Sequence, residues 1–304
     1  MTTHFTRRTF GKLAAAALPL ATATQSSAAI NSVFGGVRLG IGSYSYRHVK
    51  LDEMLTQVAS LPLGELELEN WFVEPGVSSG GRGGMNPEQR EALRQWRLTA
   101  PLSELQAVKK KVEDAGIHLY SYWITIDDTF TEAEIDRVFQ MAQTLGVGVV
   151  NVVTPLNVAE RLIAPSAKYK LRVGFHPTQG APNPNSIGTG DSWRKVTALA
   201  PNFGVNPDLG QCANWGPDPL AFLREMKDRM TTLHTHDRRT TPPPAAYVPF
   251  GQGQMPIKEI LLMMKAEKFT FVPMIERGYG FTPEMDNVKE IRNLVEYCKG
   301  ILAG

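Results

Sequence analysis

The chain has 304 residues, of which 32 are Lys or Arg and 30 are Asp or Glu, so its formal net charge is +2. Hydrophobic residues make up 42% and charged residues 20%, which is typical of a folded globular protein and argues against disorder. The near balance of charge argues against a basic nucleic-acid-binding surface. Two cysteines are too few for a disulfide framework.

The first thirty residues have the three-part pattern of an export signal. Arg7 and Arg8 precede an apolar run at 13–21, and small residues follow as far as Ala29. This run is shorter than the roughly 18 apolar residues of a bilayer span, so we expect no stable membrane anchor. The paired arginines resemble a twin-arginine signal. We therefore expect recognition by the twin-arginine export machinery, cleavage near Ala28 or Ala29, and a periplasmic or secreted protein. The alternative is an N-terminal helix of the domain.

From residue 37 onward, short β-rich runs alternate with longer helical patterns. Strands are predicted at 37–46, 64–70, 117–125, 147–154, 171–176, 203–208, 230–237 and 268–276. Helices are predicted at 51–61, 101–115, 131–145, 158–168, 192–199, 219–226, 257–268 and 287–301. Gly116 and Gly146 are expected to end two of these helices. The stretch from 71 to about 100, with a Gly-rich part at 78–84, is predicted to be a long excursion without a helix.

Eight strand-then-helix units predict parallel pairing and closure into a (β/α)8 TIM barrel, forming a single domain over 37–304. A doubly wound open sheet is the runner-up. No GxGxxG motif follows the first strand, which removes the usual reason to choose that fold.

Polar residues cluster at the predicted strand ends, where a closed barrel carries its active site. Imidazoles and carboxylates end four consecutive strands, and this donor set suits Mn, Zn, Co or Fe. His234 and His236 share a strand face, so either both bind metal or His236 reaches the substrate instead. Asp237 has the opposite parity and is expected to make a structural hydrogen bond.

The strand ends resemble the xylose-isomerase-like barrel superfamily, the sugar phosphate isomerase/epimerase group. The resemblance covers the chain from 37 to the C terminus, and its most specific parts are 234–238 (HTHDR), 249–258 (PFGQGQMPIK), 271–276 (FVPMIE) and the first strand at 40–47. It implies one divalent metal ion (Mn, Zn, Co or Mg) and a small carbohydrate substrate. The ligands carried over by position are His176, Asp208, His234 and Glu276.

Three positions depart from the family pattern. His176 stands where a Glu is usual, Gln211 where a substrate-binding His is common, and His236 where one branch has a Lys. With these departures, the resemblance supports metal binding more strongly than it supports any particular reaction.

The family chemistry implies proton abstraction next to a carbonyl by two carboxylates across the substrate, of which Glu276 is one. Because His176 stands in place of the other, a lone base also suits loss of a leaving group, with His236 or His176 as the acid. Substrate contacts are expected from Tyr46, Glu69, Trp71, Tyr122, Trp123, Gln211 and Arg277, with the aromatic rings stacking on sugar faces. Export favours a free or keto sugar over a sugar phosphate.

Several alternatives remain open. A metal-dependent lyase or dehydratase, or a sugar-binding barrel without turnover, fits the same residues. A protein-binding role would rest on the loops at 78–84 and 241–244, which read more simply as lids over the barrel mouth. A trinuclear endonuclease of the same superfamily is disfavoured, because it needs more His and carboxylate ligands and a basic surface. The oligomeric state, with a homo-oligomer possible, is left open.

Overall fold

The structure is a computed structural model that describes residues 28–78, 85–178, 183–213, 216–282 and 284–304. The predicted signal segment, apart from its last three residues, and most of the Gly-rich stretch at 78–84 therefore lie outside the described residues. Across the described ranges, no helix is both long enough and apolar enough to cross a bilayer.

Eight parallel strands form a barrel, as the alternation of strands and helices predicts. They are β1 (Gly40–Gly42), β2 (Glu65–Glu69), β3 (His118–Thr125), β4 (Val149–Val153), β5 (Arg172–His176), β6 (Phe203–Val205), β7 (Thr232–Thr235) and β8 (Val272–Ile275). Their order around the sheet is β6-β5-β4-β3-β2-β1-β8-β7. Backbone bonds from Val205 N to Arg229 O (2.9 Å) and from Thr231 N to Val205 O (3.0 Å) close the circle between β6 and β7. The TIM barrel is confirmed over the open sheet.

Helices on the outside connect the strands and cover the core. They are α1 (Leu51–Ala59), α2 (Pro87–Thr99), α3 (Leu102–Asp114), α4 (Glu132–Leu145), α5 (Ile163–Tyr169), α6 (Gly190–Leu199), α7 (Leu209–Cys212), α8 (Pro219–Met226), α9 (Ile257–Glu267) and α10 (Asn287–Ala303). Gly146, at φ 85°, ends α4, and Gly116, at φ 75°, follows the end of α3, so both predicted helix ends are confirmed.

The excursion predicted between β2 and α3 is partly wrong, because it contains helix α2. Asn86 caps this helix: its side chain accepts from Gln89 N (2.8 Å), and the Gln89 side chain accepts from Asn86 N (2.9 Å). Pro87 fills the first helical position, where its missing N–H costs nothing. The first predicted strand is also shorter than expected, because Ser43–Tyr46 turns into a 3-10 helix.

A buried ion-pair network attaches α2 to the barrel. Arg97 is fully buried and donates to Glu74 (2.8 and 2.6 Å) and to Glu134 of α4 (2.7 Å). Burial alone would lower the pKa of Arg97, but the two carboxylates outweigh it and raise that pKa. The network therefore attaches α2 and Glu74 to α4.

Candidate active site

The four ligands expected from the resemblance meet at the carboxyl ends of the strands. Donor atoms of His176, Asp208 and His234 lie within 4.8 Å of one another, as do those of Asp208, His236 and Glu276. All five side chains are buried. The structure thus brings together one cluster of three imidazoles and two carboxylates, with His236 added to the expected four ligands.

Asp208 is oriented by the short helix that follows it. Its Oδ1 caps α7 by accepting from the backbone N–H of Gln211 (2.9 Å). Its Oδ2 is left facing the cluster, 3.7 Å from His176 Nε2 and 3.6 Å from His236 Nε2. One carboxylate oxygen is therefore fixed by the backbone and the other is presented to the site.

His234 is held by a carboxylate that the sequence reasoning did not assign to the site, that of Glu67 on β2. His234 Nε2 contacts Glu67 Oε1, while His234 Nδ1 lies 3.3 Å from Glu276 Oε2. A carboxylate on the far nitrogen of a metal-binding imidazole fixes the ring and its tautomer. The signal for Glu67 was present, because Glu65, Glu67 and Glu69 alternate with leucines and so share one strand face.

Polar side chains inside the barrel support Glu67 from below. Glu67 Oε2 accepts from Ser121 Oγ (2.6 Å) and from Asn151 Nδ2. Asn151 in turn donates to Thr232 Oγ1 (2.7 Å) and accepts from Thr231 Oγ1 (2.9 Å). Because every member of this layer is paired, Glu67 has little freedom to move.

The other two histidines are oriented by different contacts. His176 Nδ1 lies 3.0 Å from the Pro177 carbonyl oxygen, which turns its Nε2 towards Asp208. His236 Nε2 lies 2.7 Å from Glu276 Oε2. His236 Nδ1 and Glu276 Oε1 are buried and have no hydrogen-bond partner in the described part of the chain.

The charges of the cluster stabilise one another. Burial would raise the pKa of Glu276, but His234 and His236 hold it well below its usual range. Asp208 behaves alike: burial opposes ionisation, yet His236 and His176 lower its pKa. Conversely, burial would lower the pKa of both His234 and His236, and the neighbouring carboxylates raise it. The two carboxylates are therefore ionised at neutral pH.

Glu69 differs from these two carboxylates. It is buried at the end of β2, and its Oε2 has no hydrogen-bond partner among the described residues. Burial, followed by the charges of Glu276 and Glu67, raises its pKa well above the usual value. The site thus holds one carboxyl group whose pKa is raised and two whose pKa is lowered, which is the pattern of an acid–base pair.

The donor set fits a divalent metal ion. Imidazoles and carboxylates are the common protein ligands of Mn, Zn and Co. Unpartnered buried atoms on Glu276 and His236, and the Glu67 carboxylate behind His234, are what a ligand set with an outer hydrogen-bonding shell presents. Residues that would hold the ion are His176, Asp208, His234 and Glu276, with His236 beside them.

Aromatic rings form a wall beside the cluster. Trp123 packs edge-on against His176 (5.7 Å between centroids) and against Trp71 (6.0 Å). Tyr44 lies 6.3 Å from both Trp71 and His236. The structure therefore brings Trp71 and Trp123 to the site as predicted, and adds Tyr44, which sequence reasoning missed.

Two predicted substrate contacts lie in the hydrophobic core. Tyr122 has the opposite strand parity to Trp123, is fully buried, and experiences the charges of Glu74 and Arg97 outside the barrel. The prediction that Tyr122 stacks on a sugar is therefore wrong. Tyr46 is likewise 1% exposed and packs in the core, so it has no open ring face. Gln211 stays near the site, with a buried Oε1 that has no described partner.

Asp237 has the structural role predicted from its parity. Its carboxylate accepts from the backbone N–H groups of Gly251 (2.8 Å), Gly253 (3.0 Å) and Met255 (3.2 Å). These bonds fix the loop at 249–256 beside the strand that carries His234 and His236.

Comparisons with known proteins agree with this architecture. The family model described as "Xylose isomerase-like TIM barrel" matches residues 84–299. No curated protein matches the sequence.

Solved structures match at low sequence identity. A D-psicose 3-epimerase is similar at a TM-score of 0.64 and 14% identity, covering 87% of this chain and 99% of its own. The probable 3-DHS dehydratase AsbF of Bacillus anthracis reaches 0.61 at 10% identity, covering 85% and 97%. A xylose isomerase domain protein of Planctomyces limnophilus reaches 0.62 at 14%, covering 88% and 98%. At these identities the likeness shows the fold alone.

Proposed function

Because the chain belongs to the xylose isomerase-like TIM barrel family, we propose that it is a divalent-metal-dependent carbohydrate isomerase or epimerase. It acts by removing a proton next to the carbonyl of a free or keto sugar. The observation that carries this proposal is a set of overlapping buried groups at the strand ends. His176, Asp208 and His234 form one triad, and Asp208, His236 and Glu276 form another. The structural likeness to a D-psicose 3-epimerase supports the proposal.

The side chains divide the proton transfers between them. Glu276 is the base, since the lowered pKa keeps its carboxylate ionised and its Oε1 has no described partner. Glu69 is the acid, since its raised pKa favours the protonated form and it ends a different strand. The resemblance implies a second carboxyl group on the fifth strand, where this chain has His176. Glu69 supplies that group from β2 instead. A divalent ion held by His176, Asp208, His234 and Glu276 would supply a Lewis acid for the carbonyl oxygen of the substrate.

The aromatic wall orients the sugar. Trp71 and Trp123 present ring faces and buried indole N–H groups that have no acceptor among the described residues. Such groups suit a polyhydroxylated ligand, which offers both C–H faces and hydroxyl acceptors.

A second candidate is a lyase or dehydratase on the same site. His236 Nε2 lies 2.7 Å from Glu276 Oε2, so an imidazole stands beside the proposed base and is placed to protonate a leaving hydroxyl. The likeness to the probable 3-DHS dehydratase AsbF is consistent with it. Formation of an unsaturated product favours this candidate, whereas exchange at one carbon without loss of a group favours the first.

Metal analysis of the purified protein tests the shared premise. We expect about one divalent ion per chain in the wild type and its loss in His234→Ala and Glu276→Gln. Glu65→Gln, two residues before Glu67 on the same strand, is the control and keeps its metal. Unchanged metal content in both site variants contradicts the proposed site.

Export through the predicted signal at 1–30 completes the proposal and is tested by fractionation of cells carrying Arg7→Lys and Arg8→Lys together.

A further inference from the structure

Two arginines lie together beside the active site, and neither has a carboxylate partner in the described ranges. Arg47 follows the 3-10 helix after β1, and Arg277 follows β8. Both guanidinium groups pack on the ring of Phe281, Arg277 with its Cζ 4.2 Å from the centroid. Arg277 Nη1 donates to the Tyr279 and Gly280 carbonyl oxygens (2.9 and 3.0 Å). These contacts use one end of Arg277 only.

The remaining donors point to a missing anion. Arg47 Nη1 and Arg277 Nε are buried and have no acceptor in the described part of the molecule. Stacking on Phe281 accounts for the position of both cations but satisfies none of these N–H groups. A buried charged donor without an acceptor is costly, so such a pair is retained where a ligand supplies the oxygens.

The pair is adjacent to the reacting groups. The ring of Tyr44 lies 4.3 Å from Arg47 Cζ and 6.3 Å from the His236 ring, so Tyr44 stands between the arginines and the cluster. The positive field is felt by His48, whose pKa is lowered by burial and then by Arg47 and Arg277.

An open cleft gives access to Arg47. Its volume is about 420 Å³, and Arg47, Lys50 and Trp71 line it. The cleft therefore connects Arg47 to Trp71 of the aromatic wall.

We propose that Arg47 and Arg277 bind a carboxylate or phosphate group carried by the substrate, so that the enzyme acts on an acidic sugar. The planar guanidinium fork pairs with two oxygens of either group. This inference rests on the proposed function, since it names the substrate class of the same site. If the chain is exported, a sugar acid is the better fit of the two, because sugar phosphates are mainly cytoplasmic.

The test is a calorimetric titration of the purified full chain with inorganic phosphate and, separately, with malonate. We expect saturable binding that Arg47→Gln weakens about tenfold or more. Arg224→Gln, which removes an exposed arginine paired with Glu267 on the outer surface, leaves binding unchanged. Arg47→Lys keeps the charge but not the fork, gives an intermediate affinity, and serves if Arg47→Gln does not fold. Tighter phosphate binding assigns a sugar phosphate, and tighter malonate binding a sugar acid.

Two outcomes overturn the inference. The first is no saturable binding of either anion. The second is binding with the same affinity in Arg47→Gln, Arg47→Lys and the wild type, which is expected if the anion binds to the metal ion instead. Failure of the proposed function is seen separately. Metal content and proton exchange into neutral keto sugars do not depend on Arg47, so their presence without anion binding removes this inference alone. Absence of bound metal and of exchange into both neutral and acidic keto sugars removes the proposed function while anion binding persists.

Discussion

The contact between Glu67 and His234 gives the most specific prediction, because a conservative change at Glu67 acts on the metal only through His234. Glu67→Gln keeps the size of the side chain but replaces one oxygen by an NH2 group. The carboxylate accepts from Ser121 (2.6 Å) and Asn151 on one oxygen and contacts His234 on the other. In the Glu67→Gln variant the new NH2 group faces either the His234 N–H or the Ser121 and Asn151 donors. In either orientation one hydrogen-bond donor faces another.

The magnitude follows from what is lost. A hydrogen bond to a charged group is worth about 1.5–3 kcal/mol. Loss of a carboxylate behind a metal-binding His typically lowers metal affinity about 10–100-fold, or about 1.4–2.8 kcal/mol. We expect Glu67→Gln to weaken Mn²⁺ binding by this amount while the far-UV circular dichroism stays unchanged.

Isothermal titration of Mn²⁺ into each protein measures the effect. Glu65→Gln is the matched control, because Glu65 occupies the same face of β2 at the opposite end of the barrel, where it pairs with Arg38 (3.3 Å) and His118 (2.6 Å). Equal Mn²⁺ affinities for Glu67→Gln, Glu65→Gln and the wild type would refute the positioning role of Glu67.

Three further changes are predicted from the same geometry. Gly42→Ala places a methyl group on the Glu276 carboxylate and is expected to lower metal affinity about tenfold or more, measured by titration. Glu69 has a folded-state pKa raised by burial, then by neighbouring carboxylates, above the unfolded value near 4.5. The wild type therefore loses stability as pH rises from about 4.5 towards the folded-state pKa, by up to about 1.4 kcal/mol per pH unit. Glu69→Gln loses less over this range, and the loss that remains comes from His234 and His236, whose pKa values are also raised. Arg97→Leu leaves two buried glutamates without their cation and is expected to lower the free energy of unfolding by about 3–5 kcal/mol, measured in urea.

Each of these three predictions can be contradicted by a specific result. Gly148→Ala adds a methyl group in open space and serves as the control for Gly42→Ala, so equal metal affinities in the two variants contradict the steric argument. Parallel stability curves for Glu69→Gln and the wild type between pH 4 and 8 contradict the raised pKa. A loss below about 1 kcal/mol in Arg97→Leu contradicts a stabilising role for its buried network.

The barrel and the main cluster were predictable because both follow from local pattern. Eight alternations of strand and helix allow few topologies, and parallel strands bring their carboxyl ends to one rim. Asp208, His234 and Glu276 needed only correct strand assignments to be placed together. Helix α2 was missed because the Gly-rich stretch before it masked the Asn86–Gln89 capping box, which a search for helix starts would have found.

What was missed depended on contacts between distant parts of the chain. Glu67 and His234 are separated by 167 residues, and nothing local to either states that they touch. Tyr122 and Trp123 are neighbours on one strand, so their side chains point to opposite faces of the sheet. Only one of the two can face the site, and the sequence alone did not show which. Arg47 became informative only when the structure showed its buried N–H without an acceptor.

Proton exchange tests the central claim most directly. The metal-loaded protein is incubated in D2O with neutral and acidic keto sugars, and deuterium incorporation next to the carbonyl is followed by NMR. We predict exchange in the wild type and its loss in Glu276→Gln, with Glu65→Gln exchanging normally. Absence of exchange across the panel in fully metal-loaded protein, or equal exchange in Glu276→Gln, would contradict the account.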